Sequence, residues 1–315
     1  MAHKEHKVNK KDVFRLAAIG VCACVTVVCM VMLISYAMDY FRTRQINAEM
    51  AARYHAEDAA AAETEPPVPD VEPTETEAAM TFRELPVPTA DASAAAYDPF
   101  GGYPDNPYRE VLPRFGKLQK TNPDICGWIT IGDELDQAVV QRDNKYYLTR
   151  DYTGRQNKNG AIFLDEQVSL WKRPTCYILY GHNMKTQEMF GILHKYDDLS
   201  YLREHALINF DTQYEEGQYA VFASGTTFLD RASLTFVDYY VLPNAVGEER
   251  AAVLERLRRA SDYQIDLDVS VEDQLLILIT CVGDDRERRF IAARRLREGE
   301  NAKTLQMTYL LAARK

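Results

Sequence analysis

The sequence predicts a mainly β fold with peripheral helices, carried behind one transmembrane helix and a disordered tether. Three observations predict it. From about residue 106 the chain breaks into many short β-rich runs separated by turn residues. A 23-residue uncharged apolar run lies near the N-terminus. Between the two stands a segment rich in Ala, Glu and Pro.

Residues 1–15 form a basic tail. The run that follows, 16–38, suits the roughly 20 residues a bilayer-spanning helix needs. A cleaved secretory signal is the competing reading. Its apolar region would span about 7 to 15 residues and end at a small-residue cleavage site, whereas this run is longer and leads into Tyr36-Ala37-Met38-Asp39-Tyr40-Phe41. Lys4, Lys7, Lys10, Lys11 and Arg15 precede the span, and Arg42, Arg44 and Arg53 follow it. The side richer in Lys and Arg stays cytoplasmic, so a single-pass cell-membrane protein with a cytoplasmic N-terminus and the bulk of the chain outside is expected.

Residues 39–104 read as the tether. Ten of the chain's 13 prolines fall between positions 66 and 113, and residues 57–77 hold eight acids and no base. Such a composition cannot bury enough apolar surface to fold, and proline with like charge makes it semi-stiff. The formal net charge of −10 divides as +4 over residues 1–56, −8 over 57–80 and −6 over the rest. No clustered basic face remains to bind nucleic acid.

The globular domain is expected over 105–315. Strands are read at 127–131, 137–141, 160–164, 176–180, 206–210, 219–223, 236–242, 275–280 and 290–293. That density of short strands points to a closed or sandwiched β architecture. Helical spacing appears at 107–120, at 247–261, where Ala251, Val253, Leu254, Leu257 and Ala260 recur among Glu and Arg, and at 302–313.

Cys22, Cys24 and Cys29 sit in the apolar span, leaving Cys126, Cys176 and Cys281 for the exported part. Three is odd, so at least one is unpaired: an intermolecular bridge or a reactive sulfur. A Cys126–Cys176 disulfide stays open. Cys281 ends the apolar run Leu275-Leu276-Ile277-Leu278-Ile279-Thr280. Alone, such a cysteine is most often a buried structural thiol. As a nucleophile it needs a nearby His or Arg.

Arg286, Arg288 and Arg289 precede the next apolar run, so an antiparallel pair would bring one of them opposite Cys281. Arg289, immediately before the run, is the preferred choice; a one-residue shift would substitute Arg288. Solvated turn charges are the plain alternative. Of the domain's histidines only His182 directly follows a strong strand, in Tyr180-Gly181-His182-Asn183; His194 and His205 look structural. No G-x-S-x-G, H-E-x-x-H or G-x-x-x-x-G-K-[ST] motif is present. His182 precedes Cys281 by 99 positions, which fits neither papain-like nor caspase order.

Tyr180-Gly181-His182-Asn183-Met184, with Thr280-Cys281 and Arg289, resembles the His, Cys and Arg constellation of sortases, class B in particular. The likeness extends over about residues 106–296 through Asn122-Pro123-Asp124-Ile125-Cys126-Gly127-Trp128-Ile129, Gly160-Ala161-Ile162-Phe163-Leu164-Asp165 and the late helix at 247–261. It implies an eight-stranded barrel and a transpeptidase that needs no metal or cofactor. Such an enzyme cuts a C-terminal sorting signal after its Thr, holds a thioacyl intermediate and passes it to an amine, with hydrolysis as a side reaction.

Carried onto this chain, the resemblance implies Cys281 as nucleophile, His182 as proton carrier and Arg289 steadying the oxyanion. Tyr180, Asn144 and Thr280 become walls of the signal groove. The implied partners are surface proteins bearing the signal and, as acceptor, a peptidoglycan precursor or a pilin lysine. One departure is Ile279, where many class B members carry Ser. A pilin polymerase and a tethered binding module with a degenerate site are the alternatives.

Overall fold

The short apolar runs pair edge to edge until no edge is left. The computed structural model describes residues 10–64, 110–171, 173–282 and 286–315. Its strands are β1 (Ile125–Ile131), β2 (Leu135–Val140), β3 (Ile162–Leu164), β4 (Cys176–Tyr180), β5 (Leu207–Thr212), β6 (Gln218–Phe228), β7 (Tyr263–Gln264), β8 (Leu275–Val282), β9 (Glu287–Arg295) and β10 (Ala313–Arg314). Eight of them close into a barrel in the order β1-β2-β3-β4-β8-β9-β6-β5, and β7 pairs separately with β10. Closure removes the unpaired edges that would otherwise invite aggregation. The expected eight-stranded barrel is therefore the observed one.

The order explains why β8 reads as an unbroken apolar run instead of an alternating one. Leu275, Leu276, Ile277, Leu278 and Ile279 are all buried, so both faces of the strand are covered. Its neighbours are β4, parallel, and β9, antiparallel. The parallel register sets Tyr180 beside Ile279, so the chain leaves both strands at the same end of the barrel.

Among the described residues, five α-helices accompany the barrel: α1 (Lys10–Thr64), α2 (Pro113–Gln119), α3 (Leu199–Glu204), α4 (Gly247–Ala260) and α5 (Ala302–Leu310). In α4, Glu248 and Glu249 open the helix and Arg258 and Arg259 close it, complementing its dipole. It buries Val253, Leu254 and Leu257. The main core fills the barrel and continues under α4 and α5. A second core lies outside the barrel wall, where Met50 and Tyr54 of α1 join Phe115, Leu118, Trp128 and Tyr147.

The helix α1 departs from the expected tether. The tether reading began at residue 39, yet the helix continues to Thr64; residues 65–109 lie outside the described residues. Two physical causes favour helix over coil. Alanine, abundant at 48–62, is the best helix former. In addition, Thr43, Met50 and Tyr54 recur along one face and are buried against the barrel. Tyr54 stacks on Trp128 at 4.3 Å between ring centroids, and its hydroxyl donates to Asp211. The N-terminal part of α1 is long and apolar enough to cross a membrane.

Two smaller differences concern boundaries. The expected strand at 236–242 is a loop with a 3-10 turn at Tyr239–Val241. Its aromatic side chains pack, but no ladder partner is available. The helix expected at 107–120 is Pro113–Gln119, opened by Pro113 at its first turn, where a missing N–H costs nothing.

Candidate active site

Two strand ends make the site. Past Tyr180, β4 gives way to Gly181 and His182; past Ile279, β8 carries Thr280 and Cys281 before it ends at Val282. The two ends are tied together, since the Gly181 amide donates to the Ile279 carbonyl (3.2 Å) and the Thr280 hydroxyl to the Gly181 carbonyl (2.8 Å). His182 and the backbone of Cys281 thus reach one barrel mouth from segments a hundred residues apart in sequence. The Cys281 side chain and residues 283–285 lie outside the described residues.

His182 is held by its ring. Nε2 lies 2.7 Å from the Leu148 carbonyl oxygen. A carbonyl only accepts, so Nε2 is the donor and Nδ1 is left for chemistry in the cleft. Gly160 makes room for this arrangement. It sits at φ +62°, and a Cβ there would come within 2.7 Å of the Tyr147 carbonyl and 3.0 Å of the imidazole Cδ2. Any other residue would strain the backbone and push the ring away.

The cleft over these strand ends has a volume of about 240 Å³. Tyr180, Phe163, Leu148 and Tyr240 give it apolar walls; His182, Thr280, Asn144 and Arg288 give it polar groups. That mixture suits a short extended peptide whose ends are fixed by a few hydrogen bonds. Tyr180 and Asn144 are locked to each other through Asp165. This fully buried carboxylate accepts from the Tyr180 hydroxyl (2.7 Å) and the Asn144 amide (3.2 Å). Burial, then the Asp165 charge, pushes the Tyr180 phenol far above its ordinary range, keeping it a neutral donor.

The arginines divide. Cys281 stands opposite Arg288 and Thr280 opposite Arg289 in the β8–β9 ladder. Arg288 lines the cleft, with Nη1 donating to the Glu287 carbonyl at 2.9 Å. Arg289 is buried. Its Nη2 donates to Ser224 Oγ (3.0 Å), its Nη1 to Asp262 (3.1 Å), and it ion-pairs with Asp197. Of the residues singled out from sequence, His182, Tyr180, Asn144 and Thr280 meet at the cleft, while Arg289 does not line it.

Sequence reasoning missed Tyr240, Phe163 and Leu148 as walls, and Asp165 as the brace behind them. Tyr240 was hidden in a run read as strand; Asp165 ends the Gly160-to-Asp165 segment but carries no signal of its partners. The other thiols of the domain are free and buried. Burial raises both, Cys176 to about 12, so neither ionises readily. His205 stacks on Tyr201 at 3.9 Å and His194 lies 3.8 Å from Asp197, both away from the cleft.

The structure defines a closed β-barrel that brings a strand-end cysteine backbone, an arginine and a ring-braced histidine to one mouth, residue types that a cysteine nucleophile requires. The Sortase domain family model matches residues 135–296. With that match covering half of the chain, the chain belongs to the sortase family of cysteine transpeptidases.

Its relatives lie in class B. Sortase B of Listeria monocytogenes is 32% identical over 199 residues, covering 61% of this chain and 75% of that protein. Sortase B of Staphylococcus aureus is 32% identical over 174 residues, covering 54% and 68%. Among solved structures, sortase B from B. anthracis in complex with AAEK2 superposes with a TM-score of 0.60 at 27% identity, covering 82% of this chain and 98% of that one. The Staphylococcus aureus sortase B–substrate complex gives 0.54 at 28%, covering 61% and 88%.

Proposed function

We propose that the protein is a membrane-anchored class B transpeptidase that cleaves a C-terminal sorting signal after Thr and joins the protein to an amine of a peptidoglycan precursor. The observation that carries this reading is the parallel β4–β8 pair, which brings His182, in the cleft, and the backbone of Cys281, next to the cleft-lining Thr280, to the same end of the barrel. The apolar half of α1, with more basic residues before it than after, supports a cytoplasmic N-terminus and an external domain.

The Cys281 thiolate attacks the Thr carbonyl carbon, and a guanidinium holds the oxyanion as it forms. The scissile C–N bond breaks as His182 gives a proton to the leaving amine, leaving a thioester on Cys281. The acceptor amine then attacks the thioester, His182 takes its proton, and the thiolate leaves. Two arginines compete for the oxyanion role. The position of Arg289 at the head of the apolar strand, on which the family likeness rests, supports that residue. The ladder register and the lining of the cleft support Arg288.

The test is mass spectrometry of the full-length protein in detergent, incubated with a library of Thr-containing sorting peptides and an amine acceptor. An acyl adduct on Cys281 that exchanges onto the amine is expected. Cys281→Ala should reduce transfer at least about 10³-fold, because the covalent step is lost. Retained transfer in that variant would refute the assignment.

A further inference from the structure

We infer that residues 42–44 of α1 are a positioning element for His182, acting through the two loops that flank the imidazole. This rests on the reading of His182 as the proton carrier. Three consecutive helical residues engage the barrel. Arg42 pairs with Asp151 at 3.7 Å, Arg44 pairs with Glu188 at 3.7 Å, and Thr43 Oγ1 accepts from the side-chain amides of Asn157 (2.9 Å) and Asn159 (3.0 Å). Successive residues of a helix point about 100° apart. The barrel loops therefore grip α1 from more than one side and fix both its rotation and its height.

The central contact is buried and saturated. Thr43, Asn157 and Asn159 are 1%, 3% and 4% exposed. The Thr43 hydroxyl also donates to the Asp39 carbonyl at 2.8 Å, so its one proton and both lone pairs are in use. Removing the hydroxyl strands two buried amides.

From those amides the path to the ring is short. The Asn157 backbone N–H donates to the Thr149 carbonyl (2.9 Å), next to Leu148, whose carbonyl accepts from His182 Nε2. The Gly160 N–H donates to the Asn157 carbonyl (3.1 Å), holding the bare Cα against which the imidazole rests. On the opposite flank, Glu188 precedes Met189, which bridges Asn183, and the Phe190 N–H donates to the His182 carbonyl. Thr43 lies five residues beyond Met38, about 8 Å along the helix, so this grip adjoins the end of the apolar span. Docking of the anchor and orientation of the imidazole are one arrangement.

The experiment compares full-length wild type, Thr43→Val, Thr43→Ser and Arg44→Ala in detergent, with histidine side chains labelled with nitrogen-15. Two quantities are read below the onset of unfolding: solvent exchange of the His182 Nε2 proton, and kcat and KM for peptide transfer. In Thr43→Val, exchange should quicken about tenfold and kcat fall about tenfold, with KM within twofold, because a small misplacement of the proton carrier slows chemistry more than binding. Thr43→Ser should restore both. Arg44→Ala, which leaves the buried amides paired, should show a smaller change in the same direction.

Unchanged exchange in Thr43→Val and Arg44→Ala would overturn the inference, as would a kcat loss that follows only the unfolded fraction. If His182→Ala keeps full transfer activity, the catalytic reading fails, while the exchange rates still decide whether α1 positions the ring.

Discussion

Strand β9 presents two arginines to two regions that differ in almost every respect. The mouth of the barrel, with Arg288, is an open cleft walled by tyrosine and phenylalanine beside a histidine whose Nδ1 is left for chemistry. One residue on, Arg289 is enclosed, with a serine hydroxyl and two carboxylates around its guanidinium. Both regions hold a guanidinium, and both lie where a strand end meets a loop. The difference teaches that one step of register separates a guanidinium lining an open cleft from one enclosed by hydrogen-bonding partners.

Substituting the two arginines one at a time would break or sharpen this contrast most. For Arg288→Ala the register leads to a fall in kcat/KM of about 10²-fold, the cost of losing one oxyanion-holding group, with the thermal midpoint unchanged. Arg289→Ala should instead lose about 1–2 kcal/mol of stability, modest because Asp197 and Asp262 are partly exposed. That is a midpoint lowered by about 4 °C in differential scanning fluorimetry, with activity falling in step with folding. If Arg289→Ala keeps its midpoint and abolishes transfer, the roles exchange and Arg289 holds the oxyanion.

Next in size is the brace behind the cleft. Tyr180→Phe removes the shorter of the two side-chain hydrogen bonds to the fully buried Asp165 and should lower stability by about 1–2 kcal/mol. The KM for the sorting peptide should rise as well, because Asp165, on which Asn144 is anchored, loses one of the groups that fix it. Urea titration and initial rates measure both, and an unchanged KM would remove Tyr180 from the groove.

The smallest effect concerns a third arginine of β9. Arg294 is buried and doubly bonded to Glu300, and that bonding holds the Glu300 carboxyl below its ordinary value near 4.5. A depressed carboxyl contributes stability above its unfolded pKa and loses it as pH falls through the folded value. Between pH 5 and 3 the wild-type midpoint should therefore fall more steeply than that of Glu300→Gln. Parallel curves would show that this pair, unlike the Arg289 network, adds nothing measurable.

Much of the architecture was legible because local signals matched the tertiary ones. The unbroken run 275–279 announced a strand covered on both faces, and Glu248, Glu249, Arg258 and Arg259 marked the two ends of α4. His182 and Cys281 stood out because each ends a strong strand. Tyr240 did not, because an aromatic run that packs without a ladder partner looks the same in sequence as a strand. The tether reading stopped short at α1 for a related reason. Composition registers polarity and proline, but not that Thr43, Met50 and Tyr54 meet a matching surface on the barrel.

By itself the sequence determined the apolar anchor segment, the β-rich domain, the helix at 247–260 and the candidacy of His182 and Cys281, because each rests on periodicity and propensity within a few residues. Only the tertiary structure decided that β4 lies parallel to β8, that the ladder pairs Cys281 with Arg288 and Thr280 with Arg289, and that α1 docks beside the loops around His182. Each of these is a pairing or docking that local pattern leaves open. The β4–β8 and α1–loop contacts join segments about a hundred residues apart, and in the β8–β9 ladder a one-residue slip, invisible to local propensity, changes which side chain reaches the site.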